Sequence, residues 1–233
     1  PSEETLLSYI LREIQCEKDM RGKTVLVTAG ATREKIDPVR YITNHSTGKM
    51  GYAIARAAML RGAQVTLVTG KTSLTPPPFV RVIETESAED MYNAVMSNAG
   101  FADIIVKAAA VADYRPKNPA DNKIKKKDGD MRIELERTKD ILKTLGENRR
   151  ENQFICGFSM ETENMVENSR EKLYKKNVDM IAANNLKTEG AGFGTDTNVV
   201  TFITREETVE KPMMTKEQAA HEILTYIMSR INK

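Results

Sequence analysis

The chain is poor in the residues that build redox and metal centres. Its 233 residues include two cysteines, Cys16 and Cys156, and two histidines, His45 and His221. Two cysteines cannot form a disulfide framework, and their spacing makes no metal motif. Cys156 lies in the apolar run Phe154-Ile155-Cys156-Gly157-Phe158, which predicts a small buried core residue. A histidine-rich metal centre is excluded by count. No apolar run approaches the roughly 18–20 residues of a membrane span, and no secretory signal is visible. Charge of one sign is missing as well: 35 Lys and Arg offset 33 Asp and Glu. No global field therefore favours nucleic acid or an anionic membrane as a partner. Together these absences predict a reducing, cytoplasmic setting.

Several familiar nucleotide motifs are also absent. A dinucleotide loop needs G-x-G-x-x-G directly after a strand, but Gly30 is followed by Thr32 and Lys35. The triplets Gly22-Lys23-Thr24 and Gly70-Lys71-Thr72 mimic the end of a P-loop. Each lacks the earlier glycine, with Glu17 and Val65 in its place. None of the seven tyrosines has a lysine four residues on, so the Tyr-x-x-x-Lys pair of short-chain dehydrogenases cannot be made.

What is present between residues 28 and 51 is more telling. The apolar run 24–27 stops at a glycine, and an amphipathic helical pattern starts after Ser46-Thr47-Gly48-Lys49-Met50-Gly51. Backbone N–H groups at a helix start lack intrahelical partners, and the helix dipole favours an anion there. A strand, a glycine loop and a helix mouth suit a phosphate-bearing ligand. A plain strand-to-helix connection is the competing explanation.

Strand-like runs at 24–27, 64–68, 80–83, 103–106, 154–158, 179–183 and 199–203 alternate with helical patterns at 49–60, 88–98, 140–147, 165–176 and 216–231. That alternation predicts an α/β, three-layer, Rossmann-like domain, a mainly parallel sheet with helices on both faces. Ligands on such sheets gather at the carboxyl ends of the strands. The rule groups Gly30, residues 108–113, residues 158–161, Asn184 and Asn185 in one crevice. Residues 114–137 break the pattern: two prolines, a lysine run, an Asp128-Gly129-Asp130 turn and a strand-like 131–136 predict a protruding two-stranded β-flap. Residues 1–21 read as a linker carrying a helix over 4–16, ahead of a single domain over 22–233. No internal repeat or low-complexity tract is visible.

Five sets of side chains suit chemistry on an anionic substrate. Asn44 can donate to an oxyanion and accept from an amine; a turn asparagine is the simpler account. Arg40 offers a forked donor for carboxylate or phosphate, or an exposed ion pair. Asp113, after the small residues 108–110, could hold a cation between phosphate oxygens, or cap a helix. Lys123, Lys125 and Lys126 form a basic run, usually solvated surface but suited to a triphosphate. Lys172 and Lys176 share one helix face. Taken together they suit a nucleoside triphosphate and an acidic co-substrate.

The segments VLVTAGATREKIDPVRYITNHSTGKMG, AAAVADYR, KIKKK, GFSMET and IAANN resemble phosphopantothenate–cysteine ligase, in order and from about Gly22 onward. The resemblance implies a step of coenzyme A biosynthesis. The carboxylate of 4′-phosphopantothenate attacks the α-phosphorus of CTP, releasing pyrophosphate; the amine of L-cysteine then displaces CMP from the acyl-cytidylate. Magnesium would neutralise the triphosphate. Position by position, Asn44 would stabilise the acyl-cytidylate, Arg40 would support its loop, and Lys123 would serve the second step from the flap. Gly30, Ser46, Gly48 and Gly51 would cradle phosphates. Lys107, Ala108, Ala109, Asp113, Lys123, Asp140, Ile141, Phe158, Lys172, Lys176 and Asn184 would contact nucleotide. Asn44, Ala109, Ala110 and Asp113 would border the pantothenate, with Asp113 the metal-ligand candidate. The resemblance further implies a homodimer whose flaps reach the other subunit's site, and in bacteria a frequent fusion to a flavin-dependent decarboxylase, so that the chain is an excised domain or a stand-alone ligase. The Ser159-Met160 pair departs from the smaller residues expected there. An NAD(P)-dependent oxidoreductase and a non-catalytic nucleotide-binding module are the alternative functions.

Overall fold

The computed structural model describes residues 2–126, 130–161, 163–185 and 195–231. Helix α1 (Glu3–Ile14) is followed by β1 (Thr24–Ala29), a ribbon of β2 (Arg33–Lys35) and β3 (Tyr41–Thr43), α2 (Lys49–Leu60), β4 (Gln64–Thr69) and β5 (Arg81–Glu84). Next come α3 (Ala88–Ala99), β6 (Ile104–Lys107), the pair β7 (Tyr114–Pro116) and β8 (Leu135–Arg137), α4 (Ile141–Glu147), β9 (Phe154–Glu161) and α5 (Met165–Lys176). The chain ends with β10 (Met180–Asn185), β11 (Thr197–Asn198), β12 (Val200–Ile203), β13 (Thr208–Glu210), β14 (Met214–Thr215) and α6 (Lys216–Ile231).

Eight strands form one sheet in the order β13-β12-β10-β9-β6-β1-β4-β5. Its six strands from β10 to β5 run parallel, whereas β12 is antiparallel to β10 and β13 antiparallel to β12. Strand side chains alternate between faces, and both faces here are apolar. Val25, Val27, Val106 and Met180 join Ile54 of α2 and Ile223 and Ile227 of α6 in one core. Leu26, Ile105 and Ile181 join Met91 of α3, Leu145 of α4 and Leu173 of α5 in the other. Burying each such side chain contributes about 1.5–3 kcal/mol, so two covered faces hold the layers together.

The architecture agrees with the sequence reading; details differ. β5 begins one residue later than expected and β10 runs on to Asn185. In the flap, strand 131–136 is replaced by β8, which pairs with β7 through Tyr114–Arg137, Arg115–Glu136 and Pro116–Leu135. Lys127 and the Asp128-Gly129 turn lie outside the described residues. The β2–β3 ribbon and the β11–β14 pair were not expected. α1 carries no buried residue, whereas Met20, inside the expected linker, is fully buried. No described helix is long and apolar enough to cross a membrane.

Candidate functional site

At the carboxyl edge of β1 the chain turns at Gly30 with φ +80°, and α2 starts after Gly48 with φ +83°. Both values favour glycine, since a Cβ penalises the left-handed region. No side chain caps α2 at Gly48; nearby, Ser46 Oγ accepts from the Gly48 N–H at 3.4 Å. The first turn of α2 therefore presents backbone donors towards the crevice. Gly51 has a steric reason of its own: a Cβ there would sit 2.5 Å from Ala29 Cβ and 2.7 Å from the Thr28 carbonyl oxygen. Only glycine lets the helix start press so closely onto β1.

Strand register brings the other segments to this mouth. Thr28 pairs with Lys107, Lys107 with Gly157, Phe158 with Ala182 and Met160 with Asn184. A bridge joins Ala31 to Ala110. A small cavity of about 60 Å³ results, with Gly48, Gly51, Ala108, Phe158, Asn184 and Lys216 on its walls. Met160, from the Ser159-Met160 pair that departs from the resemblance, lines it as well. Asn184 is 4 % exposed and its Oδ1 has no hydrogen-bond partner among the described residues. A buried acceptor without a donor costs about 1–3 kcal/mol, so the site is ready for a donor from a ligand.

Phe158 also walls a second cavity, of about 350 Å³, lined by Lys107, Asp113, Asp140, Glu161, Lys172 and Lys176. Here the cations are side chains. Burial lowers the Lys107 pKa to about 8, assisted by the Lys172 charge and opposed by Asp140 and Asp113. Lys107 Nζ donates to the Ala109 carbonyl at 3.2 Å, and Lys172 Nζ to the Phe158 carbonyl at 3.0 Å. Burial also holds Lys172 below its ordinary value, against the pull of Glu161. Lys176 is ion-paired to Asp140. Burial pushes Asp140 upward, but hydrogen bonds from Lys176 and the Lys143 N–H bring its carboxyl below the usual range. Asp140 caps α4, accepting from Lys143 N–H at 2.9 Å, and Ile141, the first residue of α4, is buried in the core. So Lys172 and Lys176 are half-buried and share the wall of one cavity.

The third group surrounds Asp37. Arg40 Nε and Nη2 donate to Asp37 Oδ2 at 3.1 and 2.6 Å. The Asp37 side chain is fully enclosed, and the N–H groups of Val39, Arg40 and Ile124 also donate to it. Arg40, led by its hydrogen bond, holds Asp37 far below the usual carboxylate range despite burial. The Arg40 fork therefore serves an internal aspartate, and its Nη2 also donates to the Ile124 carbonyl at 3.2 Å. That contact ties the base of the lysine arm to the asparagine loop: Lys123 and Lys125, on either side of Ile124, are exposed. Asn44 Nδ2 donates to the Ala110 carbonyl at 3.3 Å, closing the chain from flap to alanine edge.

Asp113 caps no helix; its carbonyl accepts from Thr138 N–H at 3.0 Å and its side chain lines the lysine cavity. Among the described residues no three His, Cys, Asp or Glu side chains group into a metal cage. Asp113 is a single exposed carboxylate beside lysines, so a magnesium ion there would have to take water and phosphate oxygens as its main ligands. Two residues missed from sequence, Lys49 and Lys216, line the helix-mouth cavity. Their signal was available: each is the first residue of a helix, where a cation is disfavoured.

Known proteins resemble this chain in sequence and in fold. The chain is 50% identical over 210 residues to the "Coenzyme A biosynthesis bifunctional protein CoaBC" of Bacillus subtilis (strain 168), covering 89% of this chain and 52% of that protein. The namesake of Vibrio vulnificus (strain YJ016) is 44% identical over 214 residues, 91% of this chain and 53% of its own. This chain thus spans about half the length of those relatives. Among solved structures, the C-terminal domain of a coenzyme A biosynthesis bifunctional protein CoaBC superposes with a TM-score of 0.79 at 45% identity, covering 93% of this chain and 99% of that one. The DNA/pantothenate metabolism flavoprotein from Streptococcus pneumoniae gives 0.76 at 27% identity, covering 90% and 100%. Residues 20–231 match the C-terminal domain family of DNA/pantothenate metabolism flavoproteins, and the chain belongs to that family.

Proposed function

We propose that this domain joins 4′-phosphopantothenate to L-cysteine at the expense of CTP, a step of coenzyme A biosynthesis. The observation that carries the proposal is the junction at Phe158: a backbone-lined helix mouth and a lysine-lined cavity share this one wall. A nucleoside triphosphate is long and anionic enough to use both. The CoaBC names of the relatives point to the same pathway.

In this proposal the α2 mouth holds phosphates through Gly48 and Ser46, while Lys107, Lys172 and Lys176 offset charge around the nucleotide. The pantothenate carboxylate attacks the α-phosphorus; the bond to the β-phosphate bridging oxygen breaks and pyrophosphate leaves. The cysteine amine then forms the amide bond as CMP departs, its surplus proton passing to solvent. Asn44, beside the Ala110 carbonyl, holds the acyl-cytidylate by its amide. Lys123, carried on the arm docked at Asp37, faces the departing phosphate. Magnesium, with Asp113 as its protein ligand, would supply charge neutralisation of the phosphates. A homodimer that brings each flap to its neighbour's site, and fusion to a flavin-dependent decarboxylase in longer chains, belong to the same proposal.

The test follows pyrophosphate after mixing protein, CTP, magnesium and phosphopantothenate, with and without cysteine. Without cysteine, pyrophosphate appears in a burst matched by protein-bound acyl-cytidylate. Cysteine converts the burst to turnover. No pyrophosphate with any nucleoside triphosphate rejects the ligase.

A further inference from the structure

We propose that Asp196 is a built-in stand-in for a ligand phosphate, holding Lys49 at the helix mouth, beside Lys216, until the terminal phosphates of a nucleoside triphosphate displace its carboxylate. The inference rests on the ligase reading and adds a regulated step to it.

Two helices place a lysine at their first position: Lys49 opens α2 and Lys216 opens α6. A positive side chain at a helix N-terminus opposes the dipole and is normally selected against. Here both lysines wall the same small cavity as Gly48 and Gly51. Burial lowers the Lys216 pKa, with the Lys49 charge the next cause. Lys216 Nζ donates to the Thr195 carbonyl, a neutral partner, so two cations and two helix starts share one place with Asp196 as the anion paired to Lys49. Asn184, buried on the same cavity, leaves its Oδ1 acceptor unpartnered among the described residues, which suits a hydroxyl or amine of the same ligand rather than its phosphates.

Asp196 supplies an anion of the right charge and the wrong permanence. Its Oδ1 lies 2.7 Å from Lys49 Nζ, yet 88% of its side chain is exposed. Its main chain is fixed independently, since its carbonyl accepts from the Lys216 N–H at 2.9 Å. The carboxylate can therefore leave without moving α6. Room for it exists: Asp196, Lys49 and Lys216 also border a separate cleft of about 640 Å³ lined by Tyr52, Leu74 and Pro77. Exposed ion pairs are weak enough for a multiply charged phosphate to compete.

Calorimetric titration with inorganic pyrophosphate and with magnesium–CTP tests this at low ionic strength. Asp196→Asn should bind pyrophosphate about threefold to fivefold tighter than the unaltered protein, the range one exposed ion pair allows. Lys49→Gln should weaken it about tenfold, and adding Asp196→Asn to Lys49→Gln should gain nothing more. A tie needed only to shape the loop would loosen binding when removed. Unchanged or weaker pyrophosphate affinity in Asp196→Asn, while the unaltered protein still binds CTP, overturns the displacement alone. Failure of the unaltered protein to bind either ligand overturns the ligase reading with it.

Discussion

The two cavities that meet at Phe158 attract anions by different physical means. The α2 mouth offers backbone N–H groups that carry no titratable proton and cannot be removed by a side-chain exchange, with Lys49 and Lys216 beside them. The lysine cavity relies on Lys107, Lys172 and Lys176, whose charges are partly desolvated. The backbone donors of the mouth should therefore tolerate changes of pH but not a single added methyl group, while Lys49 and Lys216 beside them make it answer to changes of charge. The lysine cavity should show the reverse. Flap and asparagine loop, tied together at Asp37, carry Lys123 and Asn44, which the proposed reaction assigns to the second step.

The largest effects are expected from that third group. Lys123→Gln should retain the pyrophosphate burst and lose amide formation by about 100-fold or more, as removal of one donor to a developing anion does elsewhere. Asn44→Asp should also slow the cysteine step more than activation, because a carboxylate repels the phosphate of the intermediate. Acyl-cytidylate should accumulate in both, measured by quenched chromatography. Full turnover in Lys123→Gln would return the arm to ordinary surface.

Next in size is Gly51→Ala. The new Cβ would lie 2.5 Å from Ala29 Cβ, and such overpacking costs about 1–3 kcal/mol. Thermal denaturation should show the loss directly, and CTP affinity should fall as the helix start is pushed from β1. A variant with unaltered melting would mean that the close approach is not a constraint.

How much of this was legible in sequence follows the range of the forces involved. α5 and α6 match the expected 165–176 and 216–231, because a 3.6-residue period over several turns is a strong local signal. The three-residue strands β2 and β3 have no such run; they form because the loop closes on itself through Arg33–Thr43 and Lys35–Tyr41. The helix mouth was readable because 28–51 is one continuous stretch. The Arg40–Asp37 contact was close in sequence, yet nothing local showed that Asp37 would be enclosed by Ile124, 87 residues away. Lys216 and Asp196 come to Lys49 only through packing of α2 on α6, and no spacing rule reaches that far.

Smaller still is the effect of Lys172→Met. Removing a cation should weaken CTP about tenfold. Stability should hold or rise, since burial already lowers the Lys172 pKa and an apolar side chain avoids that cost. Calorimetric affinity must fall while melting holds or rises; a fall in both would make Lys172 a structural residue. Lys49→Gln at the mouth serves as the contrast, because its partner Asp196 is exposed.

The mildest test is pH. Lys107 has a pKa near 8 in the fold against 10.5 for an ordinary lysine. Between those values the unfolded chain binds the proton and the folded chain has lost it, so stability contributed by this group rises with pH, by at most about 1.4 kcal/mol per unit. Below pH 8 both states are protonated and the cost of burying the charge is felt in full. Nucleotide affinity has the opposite sign: it is greatest below pH 8 and should decline severalfold towards pH 9.5 as the cation is neutralised. Lys107→Met should flatten both slopes, leaving only the titration that Lys172 and Lys216, also held below the ordinary lysine value by burial, contribute. Should CTP affinity keep the same slope in that variant, the proton belongs to another group and Lys107 is not what distinguishes the two cavities.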